Sequence, residues 1–262
     1  MSRKIIFFDL DNTLWDHNMQ IPASAAEAIR RLSANGHLTF ICTGRARSNL
    51  RSEELMALPF DGIMAACGNH IEMHGEILHE RLLSDREAEH AIRVMTQCHM
   101  PMVVEGPEYH WIDEEGFDGD DYVDYLWEVL GDSGKPLKGY EPGMRINKFS
   151  TCILPDTDME TIRRELKDEL DIIEHPMDVV ELIPKGTSKA SGIEKLCRLL
   201  EIDHEDTYAL GDSSNDLEML EYVAHGIAMG NGMDNAKAAA EYITADIHED
   251  GVFLAMKHYG LI

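Results

Sequence analysis

The run Ile5-Ile6-Phe7-Phe8, closed by Asp9-Leu10-Asp11, restricts the fold more than any other stretch of this chain. Continuously large apolar residues leave a strand over residues 4–10 with no polar face, so it must be covered on both sides. Strands of that kind belong to parallel sheets packed between crossover helices. The next sixty residues supply such units. Pro22 and the stretch to Asn35 predict a helix that Gly36 stops. Residues 37–42 predict a second apolar strand, running into Thr43-Gly44-Arg45. A helix over about 46–57 and a strand over 61–66 complete a β-α-β-α-β alternation.

The pattern then changes. Residues 71–73 and 76–78 flank His74-Gly75 and predict a hairpin. Ser84-Asp85-Arg86-Glu87 is a capping-box sequence that opens a helix toward Cys98. Short strands at 102–105 and 109–112, a helix at 122–130, a loop at 131–139, a strand over 145–154, a helix over 156–170 and strands at 171–174 and 179–183 follow. Antiparallel strands with helices beside them predict an α+β module, residues 84–184, inserted into an α/β core formed by 1–83 and 185–262. In the returning core, residues 188–200 and 216–222 predict helices, and 207–210, 227–229 and 242–244 predict short strands. There is no internal repeat and no low-complexity segment.

Charge excludes some functions. The chain carries 23 basic and 49 acidic residues among 262, a formal charge of −26. Binding to a nucleic-acid backbone needs a concentrated basic stripe, and none is visible. An anionic membrane surface is excluded as a partner on the same ground. No apolar stretch reaches the roughly 18 residues of a membrane span, and Asp9 and Asp11 cut the first apolar run too early for a signal peptide. Five cysteines, 42, 67, 98, 152 and 197, are scattered without a C-x-x-C pair. This pattern predicts reduced thiols and a cytoplasmic location. Oligomeric state is not legible.

Polar chemistry collects at the carboxyl ends of the predicted strands, where ligands of parallel α/β sheets sit. The first strand ends in Asp9-Leu10-Asp11-Asn12-Thr13. The second ends in Thr43-Gly44, a hydroxyl and a glycine amide able to hold an oxyanion. The strand over 207–210 ends in Gly211-Asp212-Ser213-Ser214-Asn215-Asp216, and Lys189 stands at a helix start after Pro184-Lys185-Gly186-Thr187-Ser188. Four gathered carboxylates repel one another and repel a phosphate dianion. At 4 Å each like-charged pair costs about 4 kcal/mol at an effective dielectric of 20. One lysine does not offset that. Mg²⁺ suits a set of oxygen ligands, and no Cys or His pair with zinc spacing is nearby.

Taken in order, Asp9-x-Asp11-x-Thr13, Thr43-Gly44-Arg45, Lys189 and Gly211-Asp212-x-x-Asn215-Asp216 resemble the four motifs of the haloacid dehalogenase superfamily. The insertion after the third strand, Lys185-Gly186-x-x-Lys189, Ala228-Met229-Gly230-Asn231 and Gly251-Val252 resemble its Cof-type subfamily, whose Rossmann-like core carries an inserted α+β cap of the C2B type. The resemblance implies a phosphatase acting on a small phosphorylated metabolite, with sugar phosphates as the first expectation. It implies Asp9 as nucleophile and Asp11 as general acid and base. It implies Mg²⁺ held by Asp9, the Asp11 backbone carbonyl and Asp212. Thr43, Gly44, Lys189 and Asn215 would bind phosphate, and Asp216 and Thr13 would orient the others. Where related sequences carry Asn-Gly after the third strand, this chain has Ala66-Cys67-Gly68-Asn69-His70, so the loop amide is replaced by Cys67 or moved to Asn69.

Plainer readings apply elsewhere. His70, His74 and His79 read as solvated or rim positions rather than a metal cluster. Cys42 reads as a small buried strand residue, and the acidic run 113–124 as a solvated loop. Arg45, Arg145 and Lys148 are candidate substrate contacts, with Glu105, Tyr109 and Trp111 beside them. A phosphomutase on the same scaffold, or a phospho-accepting receiver, remains open. A receiver is about half this length and gives a second acid at +2 no task.

Overall fold

The computed structural model describes residues 3–117, 121–175 and 178–262 and divides into two compact units. One comprises residues 1–44, 51–80 and 188–262, and the other residues 45–50 and 81–187. The sequence junctions at 83/84 and 184/185 lie within three residues of the two main boundaries. The short segment 45–50 goes with the inserted unit.

The first unit begins with strand β1 (Ile5–Phe8), helix α1 (Ala23–Ala34), strand β2 (Leu38–Cys42), helix α2 (Glu53–Met56), strand β3 (Gly62–Ala65) and the hairpin β4 (His70–Met73) and β5 (Glu76–Glu80). All four residues of β1 are completely buried, as the unbroken apolar run requires. Ile5 and Phe7 pack with Phe40, Met64 and residues of two later helices, so both strand faces are covered. Gly36 ends α1 at φ +81°, a conformation that costs glycine nothing. His74 and Gly75 both have positive φ, the backbone of a two-residue hairpin turn.

The second unit contributes α3 (Asp85–Gln97), β6 (Val103–Glu105), β7 (His110–Ile112), α4 (Asp121–Leu130), β8 (Gly134–Pro136), β9 (Lys148–Cys152), α5 (Met159–Leu166), β10 (Leu170–Glu174) and β11 (Val179–Pro184). The sheet order is β10-β11-β9-β6-β7-β8, antiparallel except for the β7–β8 pair. Val104, Phe149 and Leu182 join α3 and α5 in one core. Val103 and Ile112 join Val123, Leu126 and Leu130 of α4 in another. Ser84 and Glu87 form the expected reciprocal cap on α3. Of the acidic run, residues 118–120 lie outside the described residues.

The chain then returns to the first unit with α6 (Lys189–Leu200), β12 (Thr207–Gly211), α7 (Leu217–Tyr222), β13 (His225–Ala228), α8 (Asp234–Ala239), β14 (Tyr242–Ile243) and α9 (Gly251–His258). The completed sheet runs β14-β13-β12-β1-β2-β3-β4-β5. The first six strands in that order are parallel, and the hairpin extends the edge antiparallel. From β1 the early strands build outward in one direction and the late strands in the other. The β12–β1 border is therefore the topological switch point, where such sheets bind ligands beyond the strand ends.

Several elements differ from the sequence expectation. The helix over 46–57 is a 3₁₀ turn, Arg47–Asn49, and then α2. Leu50 is buried in a non-helical conformation, and the Ser52 side chain caps a fresh start by accepting from Leu55 N–H. The 145–154 strand begins only at Lys148, because Ile146 and Asn147 bond the segment entering the unit: Leu83 N–H donates to Ile146 O and the Asn147 amide donates to Arg81 O. The 156–170 helix spans only Met159–Leu166, since the Thr157 hydroxyl is drawn to His99 O and Asp158 caps from outside. Strand β8 occupies part of the expected 131–139 loop, and α8 and α9 lie where no helix is expected.

Candidate active site

Asp9 follows β1 directly, and its N–H still bonds Leu210 O of β12 at 2.9 Å. The first aspartate is therefore held by the sheet at the switch point. The chain then coils tightly: Leu14 and Trp15 N–H both donate to Leu10 O, Asn12 N–H donates to Trp15 O, and Asn12 adopts φ +56°. Asp11 sits half-buried in this coil, paired with Trp15 in an isolated bridge. Thr13, completely buried, places its hydroxyl 3.5 Å from Asp212 Oδ1. Thr43, 1% exposed, leaves the end of β2, and its carbonyl accepts from Cys67 N–H.

Asp212 and Asp216 come from the loop after β12. Asp216 is fully buried and spends both oxygens inside the site. One accepts from Asp212 N–H at 2.9 Å and Ser213 N–H at 3.1 Å, and the other pairs with Lys189 Nζ at 2.6 Å. Ser213 closes a reciprocal cap with Asp216. Gly211 is required here, because a Cβ would meet Asp216 Cγ at 2.6 Å.

Lys189 is the first residue of α6, with its ammonium on both Asp9 and Asp216 and its side chain 1% exposed. The Ser188 cap fixes that helix start. A glycine pair sets its distance from the sheet. A Cβ on Gly68 would meet Ser188 O at 2.7 Å, and one on Gly192 would meet Gly68 Cα at 2.8 Å. The loop carrying Gly68 is unusual in a second way: Ala66, Cys67 and Gly68 all have positive φ. The completely buried Asn69 amide anchors it by donating to Ala66 O at 2.7 Å, so Asn69 supplies the anchor here.

The electrostatics follow from these placements. Burial opposes the charged form of Lys189, but Asp216 and Asp9 outweigh it and hold the ammonium protonated well above the usual range. Burial, then Asp216, push the Asp9 carboxyl well above its ordinary value, with only Lys189 opposing. Burial and Asp216 likewise raise Asp212 to about 7. Donor oxygens of Asp9, Asp212 and Asp216 lie within 4.8 Å of one another. Four acids against one lysine leave a local excess of negative charge that a divalent cation relieves. The donor set is oxygen throughout and buried, which fits Mg²⁺. Asp216 is the poorest ligand of the three, since both its oxygens are already engaged. Asp9 and Asp212 carry the fit.

Asp9, Asp11, Thr13, Thr43, Gly44, Lys189, Asp212, Asn215 and Asp216 all belong to the first unit. The Asn215 side-chain oxygen accepts from the Ser213 hydroxyl at 2.8 Å, so this residue braces its own loop. Arg45 falls in the second unit. There, Arg145 pairs with Glu108, and the two line a cavity of 240 Å³ with Tyr109, Trp111 and Lys135. Lys148 is completely enclosed by that unit's sheet, paired with Glu181 and 3.8 Å from Glu105. Burial tends to raise the Glu105 carboxyl, but Lys148 and His110 reverse this and hold it at about 2. Two sequence readings are settled outside the site. His70 is not solvated: it is 2% exposed, with its ring nitrogens 3.0 and 3.1 Å from Glu80 and Glu72. Cys42 is a buried strand residue whose thiol burial pushes far up, so it is inert.

Two positions carry weight that the sequence reading did not give them. Ser213 holds the loop of Asp212, and its signal was the Ser-x-x-Asp capping spacing over 213–216. Asn231 donates to Asn12 O at 2.7 Å and accepts from Ile247 N–H at 2.9 Å, tying the Asp11 coil to the C-terminal region. Its place in Ala228-Met229-Gly230-Asn231 is part of the family resemblance, but the long-range tie itself has no local signal.

Acids at two strand ends of a parallel α/β sheet, joined through a buried lysine at a helix start, form the candidate active site of a hydrolase. The chain belongs to the haloacid dehalogenase-like hydrolase family, whose sequence model matches residues 6–256. It is 31% identical over 277 residues, covering 95% of each chain, to the 5-amino-6-(5-phospho-D-ribitylamino)uracil phosphatase YwtE of Bacillus subtilis. Its fold superposes with a TM-score of 0.85 on the subclass IIB sugar phosphatase BT4131, at 27% identity over 99% of this chain and 100% of the other. A hypothetical protein of Geobacillus kaustophilus superposes at 0.87, with 28% identity over the whole of both chains.

Proposed function

We propose that this enzyme hydrolyses a phosphomonoester of a small polyhydroxylated metabolite, with Asp9 as the nucleophile and Mg²⁺ as the metal. The observation that carries the proposal is the double engagement of Lys189 by Asp9 and Asp216 beside Asp212. Asp9 is fixed by the sheet, so its carboxylate is aimed without further ordering of the chain. Lys189, fully charged and desolvated, opposes the burial and the Asp216 charge that favour a protonated Asp9, and presents an ammonium to a transferring phosphoryl group. Asp9 forms an acyl phosphate as the alcohol leaves. Asp11, two residues on and more exposed, gives a proton to the departing oxygen and then takes one from the attacking water. Asp9 and Asp212, with the Asp11 carbonyl, would hold Mg²⁺, which supplies charge neutralisation for the phosphoryl oxygens. The named substrate of YwtE carries a phosphorylated ribityl chain and BT4131 is named for sugar phosphates, which supports a polyol or sugar phosphate as substrate.

The test is phosphate release from a panel of sugar and polyol phosphates, with and without Mg²⁺, for the wild type and Asp9→Asn. Mg²⁺-dependent release that disappears in Asp9→Asn is expected. Release that survives the substitution would end the covalent mechanism.

A further inference from the structure

We propose that Asp16, His17 and His248 form a second cation site, separate from the acidic cluster, that takes a zinc-class divalent transition metal. Their ligand atoms lie within 4.8 Å of one another, although they come from opposite ends of the chain. Two imidazoles and one carboxylate are the ligands of a borderline-soft ion, with a fourth position left to water. Mg²⁺, which prefers oxygen ligands and holds its waters, does not suit this set.

Each ligand is prepared by its surroundings. Asp16 Oδ1 accepts from Asn18 N–H at 2.8 Å and Gln20 N–H at 3.0 Å, which orients the carboxylate. The same amides, Gln20 first, hold it below the usual carboxylate range, so it is anionic. His17 Nε2 lies 3.0 Å from the Asn18 amide nitrogen. A metal on that nitrogen would take the place of the Asn18 contact, which a small rotation of the exposed Asn18 side chain releases. His248 sits on a one-turn helix, Ile247–Glu249, whose start is fixed by the Asp246 carboxylate accepting from His248 N–H at 2.9 Å. The two imidazole rings meet edge to face, with centroids 6.3 Å apart.

The backbones bearing these ligands are already joined. Asn231 bonds Asn12 O and Ile247 N–H, so one amide holds the coil of Asp11 against the turn of His248. A metal on Asp16, His17 and His248 would fasten the same two segments a second time, nearer the surface. Occupancy would stiffen the segment leaving Asp11 without touching Asp9, Lys189 or Asp212.

Co²⁺ titration followed by visible absorption, in excess Mg²⁺, tests the site. Cobalt on a low-coordinate, imidazole-bearing site absorbs strongly, whereas cobalt on an all-oxygen, six-coordinate site absorbs weakly. The expected result is one equivalent of strongly absorbing Co²⁺ in the wild type and in Asp9→Asn, and loss of the band in His17→Ala and in His248→Ala. Zn²⁺ should bleach the band. Both histidines are exposed, so their replacement leaves the fold and the Mg²⁺-dependent activity in place. A wild type with no such band, or a His17→Ala/His248→Ala protein that keeps it, overturns the assignment. Asp9→Asn losing the band while the histidine variants keep it would move the cobalt to the acidic cluster.

Discussion

Replacing Lys189 by methionine keeps most of the side-chain volume and removes the one cation between Asp9 and Asp216. The ammonium bonds Asp216 at 2.6 Å and also contacts Asp9, with 1% of the side chain exposed. Each contact is worth about 4 kcal/mol at 4 Å and an effective dielectric of 20, set against a desolvation cost of several kcal/mol. Removing one partner of such a buried pair costs about 3–5 kcal/mol, because the stranded charge remains buried. For domains of 150–250 residues each kcal/mol moves Tm by about 2–4 °C, so Lys189→Met in EDTA should melt roughly 6–20 °C below wild type. The sign of a second substitution sharpens the test. Asp9→Asn in the Lys189→Met background removes a stranded carboxylate and should raise Tm again. Differential scanning calorimetry of the two proteins, each in EDTA and in excess Mg²⁺, reads all of this. The deficit should narrow with Mg²⁺, which replaces part of the missing charge. A Tm within about 2 °C of wild type in EDTA, or a double variant less stable than Lys189→Met, would refute the account of the site as an under-neutralised acidic cluster.

The remaining expectations concern the metal, the loop and the inserted sheet. Asp212 is raised to about 7 in the folded chain, so its contribution to metal-free stability is present below the ordinary carboxylate pKa and lost as pH rises through about 7. Mg²⁺ must displace that proton. Its calorimetric Kd should therefore fall as pH rises toward about 7, and Asp212→Asn should flatten that dependence by removing the Asp212 share and leaving the Asp9 share. Asp11→Asn should keep Mg²⁺ affinity within about threefold, because the proposed ligand there is a backbone carbonyl, while kcat falls by about 10²–10⁴; loss of calorimetric Mg²⁺ binding would count against the assignment. Gly68→Val must adopt φ +86° with a Cβ 2.7 Å from Ser188 O, so it should cost about 2 kcal/mol or more in urea melts and lower kcat through the displaced start of α6. Lys148→Met should cost about 3–5 kcal/mol by stranding Glu105 and Glu181, and a nearly neutral urea melt would show that the pair is not desolvated as the structure implies.

How far the sequence carried the reading depended on the range of the interactions. The core strands were legible because burial on both faces forces an unbroken apolar run, as in Ile5–Phe8. Helix starts with side-chain caps were legible too: Ser84 with Glu87 and Ser188 ahead of Lys189 are local signals. Failures came where a distant contact overrode local propensity. Residues 46–57 break because Leu50 is buried outside a helix, and 156–158 stay out of α5 because Thr157 bonds His99. His70 departs from the solvated expectation for the same reason, since Glu80 reaches it across a hairpin and Glu72 holds its other ring nitrogen.

The site was more legible than the fold around it, and topology explains why. A parallel sheet that grows outward from β1 in both directions must bring the ends of β1, β2 and β12 together at one border. Any polar residue placed just after those strands then converges without a separate instruction, so strand order alone groups Asp9, Thr43 and Asp212. Lys189 is the exception, because a helix start is not tied to that border by strand pairing. Its position depends on Gly68 and Gly192, whose missing side chains let the loop and α6 approach to van der Waals contact. The inserted unit has no such convergence rule. Its ionic cluster of Glu105, Lys148 and Glu181 arises from cross-strand register, and a register shift of one residue would turn Lys148 to the opposite face. Motif order therefore picks out the candidate catalytic acids of this enzyme, whereas side-chain placement in the inserted sheet has to be read from register and packing.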